Sequence, residues 1–214
     1  MDTALRWDSP ALMNEETRDG SLDTDAQLML RFQAGDLRAF ESLFWRHSRP
    51  MVNFAYRFVR SRETAEELAQ EVFLRVHDAA PLYRAQAKFT TWLYRIATNV
   101  CLNELRRPRF RAVHQSLDAS TTDDPDDKPM EIQDDHAGPD RLMERRAIAR
   151  ALIQALERLP EKQRLAFILN KYQDLSYSEV AEVMKTSEKA VKSLIHRAKE
   201  TLAARLKPML PELI

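Results

Sequence analysis

The chain has 214 residues, 44% hydrophobic and 31% charged, and its 33 basic and 33 acidic side chains cancel to a net charge of zero. Only three glycines occur (Gly20, Gly35 and Gly138), too few for Gly-rich phosphate loops or a series of tight β-hairpins. No apolar run approaches membrane-span length, the N-terminus carries no signal pattern, and the single Cys101 permits no internal disulfide, which suits a cytoplasmic protein without membrane insertion.

Residues 1–21 show no sustained period and read as a loose N-terminal leader. A first helix is expected near Asp23–Gln33, closed by Gly35, with Asp36 placed to cap the next. That helix carries Phe40, Leu43 and Phe44; Pro50 is expected to interrupt the run, which resumes through Val52, Phe54, Ala55, Phe58 and Val59. A third helix, Arg62–Ala79, repeats apolar positions at Ala65, Leu68, Ala69, Val72, Phe73 and Val76. A fourth, Phe89–Arg107, does so at Phe89, Trp92, Leu93, Ile96, Val100 and Leu105 before Pro108 stops it. Cys101 falls inside this stripe and reads as a small buried hydrophobe rather than a nucleophile.

Residues 109–139 form an acidic segment whose second part holds three prolines (Pro125, Pro129 and Pro139) and almost nothing to bury. Such a stretch cannot offset its ordering entropy and is expected to be a flexible linker. Helical pattern returns over Asp140–Leu159, and Pro160 opens another helix. The charges are segregated. Residues 141–214 hold fifteen basic against nine acidic side chains and residues 22–108 thirteen against ten, while 1–21 and 109–140 are net acidic. Basic helical blocks either meet polyanions or are solvated faces, and charge alone leaves both open.

The region from Leu175 to Leu202 carries the sharper signal. Ser176 and Glu179 make a capping box that starts a short helix at Tyr177. A polar step, Lys185–Ser187, follows, and Ser187 caps a second helix with Glu188 at its positive end. There Val191, Leu194, Ile195, Ala198 and Leu202 share one side, against Lys189, Lys192, Ser193, His196 and Arg197 on or beside the other. Short helix, turn and basic-faced helix match a helix-turn-helix, with a solvated helical hairpin as the alternative. In a helix-turn-helix the second helix enters the major groove. Lys192 and Arg197 would then meet phosphate or guanine, and Glu188, Ser193 and His196 base edges.

Four stretches, "ELAQEVFLRVHDA", "FTTWLYRIATNVCLNELRR", "LERLPEKQRLAFIL" and "LSYSEVAEVM", occur in the order seen in bacterial sigma factors. The chain resembles an extracytoplasmic-function (ECF, group 4) member of the sigma-70 family over about Leu22 to Lys207. The resemblance implies an all-α fold of two small helical domains joined by the linker: a sigma-2-like domain at 22–108 and a sigma-4-like domain with the helix-turn-helix at 140–214. It implies a subunit that joins core RNA polymerase and directs initiation at −35 and −10 promoter elements. Implied partners are the β′ clamp helices and β subunit, promoter DNA and an anti-sigma factor, with no cofactor.

Residue by residue, Glu66, Glu67, Gln70, Glu71 and Leu74 resemble the face that grips the polymerase clamp; without the resemblance they would read as a solvated helix face. Tyr83, Arg84, Lys88, Phe89, Arg95, Asn99, Asn103, Arg106 and Arg107 fall in the part that opens and holds the −10 element. Cations there suit the backbone, Asn99 and Asn103 a base edge, and Tyr83 and Phe89 a stacked base, although Phe89 and Trp92 also fit the apolar stripe. The helix-turn-helix corresponds to the −35 reader. Here Lys192 stands where arginine is frequent, and it lacks arginine's planar fork.

A stand-alone helix-turn-helix regulator is the alternative, but the first domain's motifs suit neither a sensor nor a dimerisation module. No H-E-x-x-H or similar metal spacing links His47, His77, His114, His136 and His196 to the carboxylates, so an enzyme is not expected.

Overall fold

The computed structural model describes residues 23–107 and 151–207, and every regular element among them is helical. The leader at 1–21, the linker at 109–139 and the beginning of the helix expected from Asp140 lie outside the described residues.

Helix α1 spans Thr24–Gln33, with the Asp23 side chain accepting the Ala26 amide at 2.7 Å. Gly35 then takes a φ of 99°, open only to a residue without Cβ strain, and Asp36 caps the next helix through the Arg38 and Ala39 amides. Helix α2 runs unbroken from Leu37 to Val59, which corrects the interruption expected at Pro50. Proline removes one backbone hydrogen bond at a cost of about 3 kcal/mol. Met51, Phe54 and Phe58 on the following turns are buried, and each such side chain contributes about 1.5–3 kcal/mol, which is enough to hold the helix together.

Helix α3 covers Arg62–Ala79, capped by Ser61. A 3₁₀ turn at Ala80–Leu82, not foreseen from the sequence, is held from outside: Gln33 Nε2 donates to the Ala80 carbonyl at 2.9 Å. Helix α4 spans Phe89–Arg106 and receives no cap from the Lys88 side chain. Asp23 supplies one instead, its second carboxylate oxygen accepting the Phe89 amide at 3.2 Å. One aspartate thus fixes the starts of two helices distant in sequence.

In the second half, residues 151–157 are helical (α5), and Glu161–Lys171 form α6 with Pro160 just outside its first turn. Helices α7 (Tyr177–Met184) and α8 (Glu188–Leu206) make the expected helix-turn-helix, with both partners of the capping box bonded. The glycine often found in such a turn is replaced by Lys185 in the left-handed conformation, φ 51°. Ala155, Leu156, Leu159, Ala198 and Leu202 form a small core beneath α5 and the end of α8.

The two halves do not stand apart. One buried cluster runs from Met29 and Phe54 through Leu93 to Ile168, Val180 and Ile195, and α4 packs directly against α7.

Candidate polymerase and nucleic-acid interfaces

On α3 the residues Ala65, Leu68, Ala69, Val72, Phe73 and Val76 are buried, which turns the remaining face outward. Glu66, Glu67 and Gln70 are exposed, Glu71 is half-buried, and Leu74 is 66% exposed among them. Arg62 pairs with Glu66 at 2.9 Å and Arg75 with Glu71 at 2.5 Å, so two of the four anionic and polar groups are held in place along the helix. The outer side of α3 is thus an acidic ridge around one exposed leucine.

The residues expected at the −10 element divide into three groups. Arg84, Asn99, Asn103 and Arg106 are exposed, and the last three fall on one α4 stripe at steps of four and three residues. Lys88, Arg95 and Arg107 are engaged by acids. Lys88 pairs with Glu179 of α7 at 2.9 Å, Arg107 with the buried Glu104 at 2.8 Å, and Arg95 lies within electrostatic reach of Glu182.

Tyr83 and Phe89 form the third group and require correction. Phe89 is 0% and Tyr83 3% exposed, with ring centroids 6.2 Å apart, and Trp92 packs on both. Neither ring can bracket a base without leaving the core; they shape the wall behind α4 instead. Burial, and then the charges of Asp23 and Asp25, push the Tyr83 hydroxyl up to about 12, so it stays neutral. Cys101 is buried as expected, and burial raises its thiol to about 12, far from a reactive thiolate.

On α8, Val191, Ile195, Ala198 and Leu202 face the core, while Glu188, Lys189, Lys192, Ser193, His196 and Arg197 are all exposed. The six expected −35 contacts therefore share the outer half of one helix. Lys192 bonds Glu188 at 2.8 Å, which raises its pKa, and sits 5.8 Å from the centre of the Tyr177 ring. His196 lies 3.4 Å from Glu200.

Sequence reasoning missed the seam between the halves. Tyr94 donates its hydroxyl to Gln173, the Arg57 guanidinium lies 4.0 Å from the centre of the Tyr172 ring, and Arg60 pairs with Glu157 at 3.1 Å. A cleft of about 300 Å³ opens along this seam, bordered by His47, Pro50, Lys88, Tyr94, Gln173 and Glu179. Burial would raise the Glu179 carboxyl, but hydrogen bonds from Ser176 and Lys88 outweigh it and leave the group below its usual pKa. Among the described residues no cluster of His, Cys, Asp and Glu is placed to hold a metal, and no helix is long and apolar enough to cross a membrane.

Residues 43–111 match the family described as Sigma-70 region 2, and residues 149–202 match Sigma-70, region 4. The RNA polymerase sigma-H factor of Pseudomonas aeruginosa is 35% identical over 195 residues, covering 89% of this chain and 97% of that protein. The chain belongs to the sigma-70 family. The ECF RNA polymerase sigma-E factor of Escherichia coli, 30% identical over 87% of this chain and 96% of its own length, places it among the ECF members.

Two solved structures share the fold of this sigma factor. CnrH, in complex with the cytosolic domain of CnrY, has a TM-score of 0.63 at 23% identity, covering 87% of this chain and 99% of that one. RpoE of Bartonella quintana, in complex with the anti-sigma factor NepR, has a TM-score of 0.59 at 22% identity, covering 78% and 96%. The sigma factor therefore acts in promoter-specific initiation of transcription by RNA polymerase.

Proposed function

We propose that this ECF sigma factor divides the work of initiation among three helix faces. The α3 ridge around Leu74 grips the polymerase clamp, the α4 stripe holds the separated −10 strand, and the outer face of α8 reads the −35 element. The domain limits that go with this division are 22–108 for polymerase and −10 contacts and 140–214 for −35 contacts. The observation that carries the reading is the clean partition of α8: every proposed DNA contact is exposed, and Val191 and Ile195 behind them are fully buried. A helix anchored so firmly on one side can present a fixed register of side chains to a groove.

The proposed role is binding rather than catalysis, inside the cytoplasm where polymerase and promoter are found. An anti-sigma partner is proposed as well, since CnrH was captured with CnrY and the Bartonella protein with NepR. The deciding experiment is transcription in vitro from a candidate promoter with core polymerase, in the presence and absence of the protein. Specific transcripts that appear only with the protein support the proposal. A protein that binds DNA alone and leaves polymerase undirected would support a stand-alone regulator instead.

A further inference from the structure

We propose that Leu82 is an apolar wedge that enters the promoter duplex at the edge of the −10 element and starts the separation of its strands. The position of the wedge along the promoter rests on the assignment of the α4 stripe to the separated −10 strand. Leu82 is 72% exposed at the end of the 3₁₀ turn, between Ala80 and Tyr83, which are both buried. A lone exposed leucine carries no meaning by itself. The turn beneath it does.

That turn is stiff. The Gln33 side chain reaches over from α1, and its Nε2 lies 2.9 Å from the Ala80 carbonyl and 3.2 Å from those of Pro81 and Tyr83. Pro81 restricts its own backbone angle, and the Tyr83 ring is sunk against Phe89 and Trp92. The turn also follows α3 without a break and packs on both α1 and α3, so a polymerase that holds α3 holds Leu82 as well. Inserting an apolar side chain between base steps requires such a mount, because the force that unstacks them must be carried by the fold.

The mount also stands in the right place. Trp92 is half-buried and lies seven residues before Asn99 and eleven before Asn103, which puts all three along one side of α4. Tyr83 packs on Trp92 with ring centroids 4.9 Å apart, so Leu82, the residue before it, sits at the head of the stripe. Arg84, exposed two residues further on, supplies a cation for a phosphate at the same point. At about 1.5 Å per helical residue, Asn99 and Asn103 lie about 10 and 16 Å along from Trp92. At about 3.4 Å per stacked nucleotide, they would meet bases about three and five positions beyond the wedge. A wedge without polar atoms reads no base edge, but it enters most easily at a flexible pyrimidine–purine step.

Time-resolved permanganate reactivity of holoenzyme on two versions of one promoter tests the wedge. On linear duplex, Leu82→Ala should slow open-complex formation about ten-fold, whereas Leu82→Met, which keeps the apolar reach, should retain most of the rate. On the same promoter with a mismatched, pre-opened −10 region, Leu82→Ala should match wild type. Gln33→Ala, which loosens the mount, should give a smaller defect that the pre-opened template also removes. Leu82 lies outside the core, so a thermal melt of Leu82→Ala should superpose on wild type. A defect of equal size on both templates, as loss of a polymerase contact would give, overturns the wedge, and so does full activity on duplex. Asn99→Ala with Asn103→Ala is the separate check, since residues that hold the opened strand should show their defect on the pre-opened template too. Absence of that defect alone would overturn the assignment of the stripe, and the wedge would stand on its difference between templates.

Discussion

Replacing Leu74 by alanine separates folding from polymerase binding. Fully burying a leucine contributes about 1.5–3 kcal/mol, and Leu74 is 66% exposed, so about 1–2 kcal/mol remains for a partner to gain. At about 1.4 kcal/mol per decade, Leu74→Ala should weaken binding to core polymerase roughly five- to thirty-fold. Alanine is at least as good a helix former and the site is outside the core, so stability should change by less than about 0.5 kcal/mol. Titrating labelled sigma factor with core polymerase by fluorescence anisotropy, alongside a thermal melt, measures both quantities. Unchanged affinity with an unchanged melting temperature would remove Leu74 from the interface and leave the α3 ridge a solvated face.

Three further outcomes are expected. Asn99→Ala with Asn103→Ala should leave polymerase binding near normal and reduce open-complex formation, read by permanganate reactivity of unpaired thymines; unchanged melting would clear both residues of that role. On α8, Ser193→Ala and His196→Ala should alter the ranking of −35 variants, whereas Lys189→Ala should weaken all of them alike and lower the salt dependence, as measured by binding of holoenzyme across a promoter panel. Asp23→Ala removes the caps of α1 and α4 together and should destabilise the protein by about 1–2 kcal/mol in urea unfolding, while Asp23→Asn should recover part of the loss.

What could be read from the sequence was local. Asp36, Ser176 and Ser187 announced helix starts because a cap acts on amides two or three residues away, and all three bond as expected. The helix-turn-helix was legible for the same reason. Pro50 misled because the rule for proline weighs one lost hydrogen bond, whereas the outcome was set by Met51, Phe54 and Phe58 burying against elements far along the chain. Aromatic residues divided along a similar line: Phe89 and Tyr83 have chemistry that suits a base and a core equally, and only their neighbours decide. The pairing of Lys88 with Glu179 spans some ninety residues and follows no spacing rule, so no periodicity could reveal it.

The neutral net charge acquires a physical meaning from these contacts. Two cations assigned to DNA have a carboxylate beside them near the surface: Lys88 has Glu179 and Lys192 has Glu188. Solvent-exposed pairs of this kind are weak, so a fixed phosphate with better geometry can displace the acid, while diffuse contact with arbitrary DNA gains little. Pairing thus discounts non-specific binding more than specific binding, because only the correctly placed backbone repays the exchange at every cation together. A basic helix in a neutral protein is then a reader whose grip depends on polymerase holding both halves in register, and free protein should bind promoter duplex weakly.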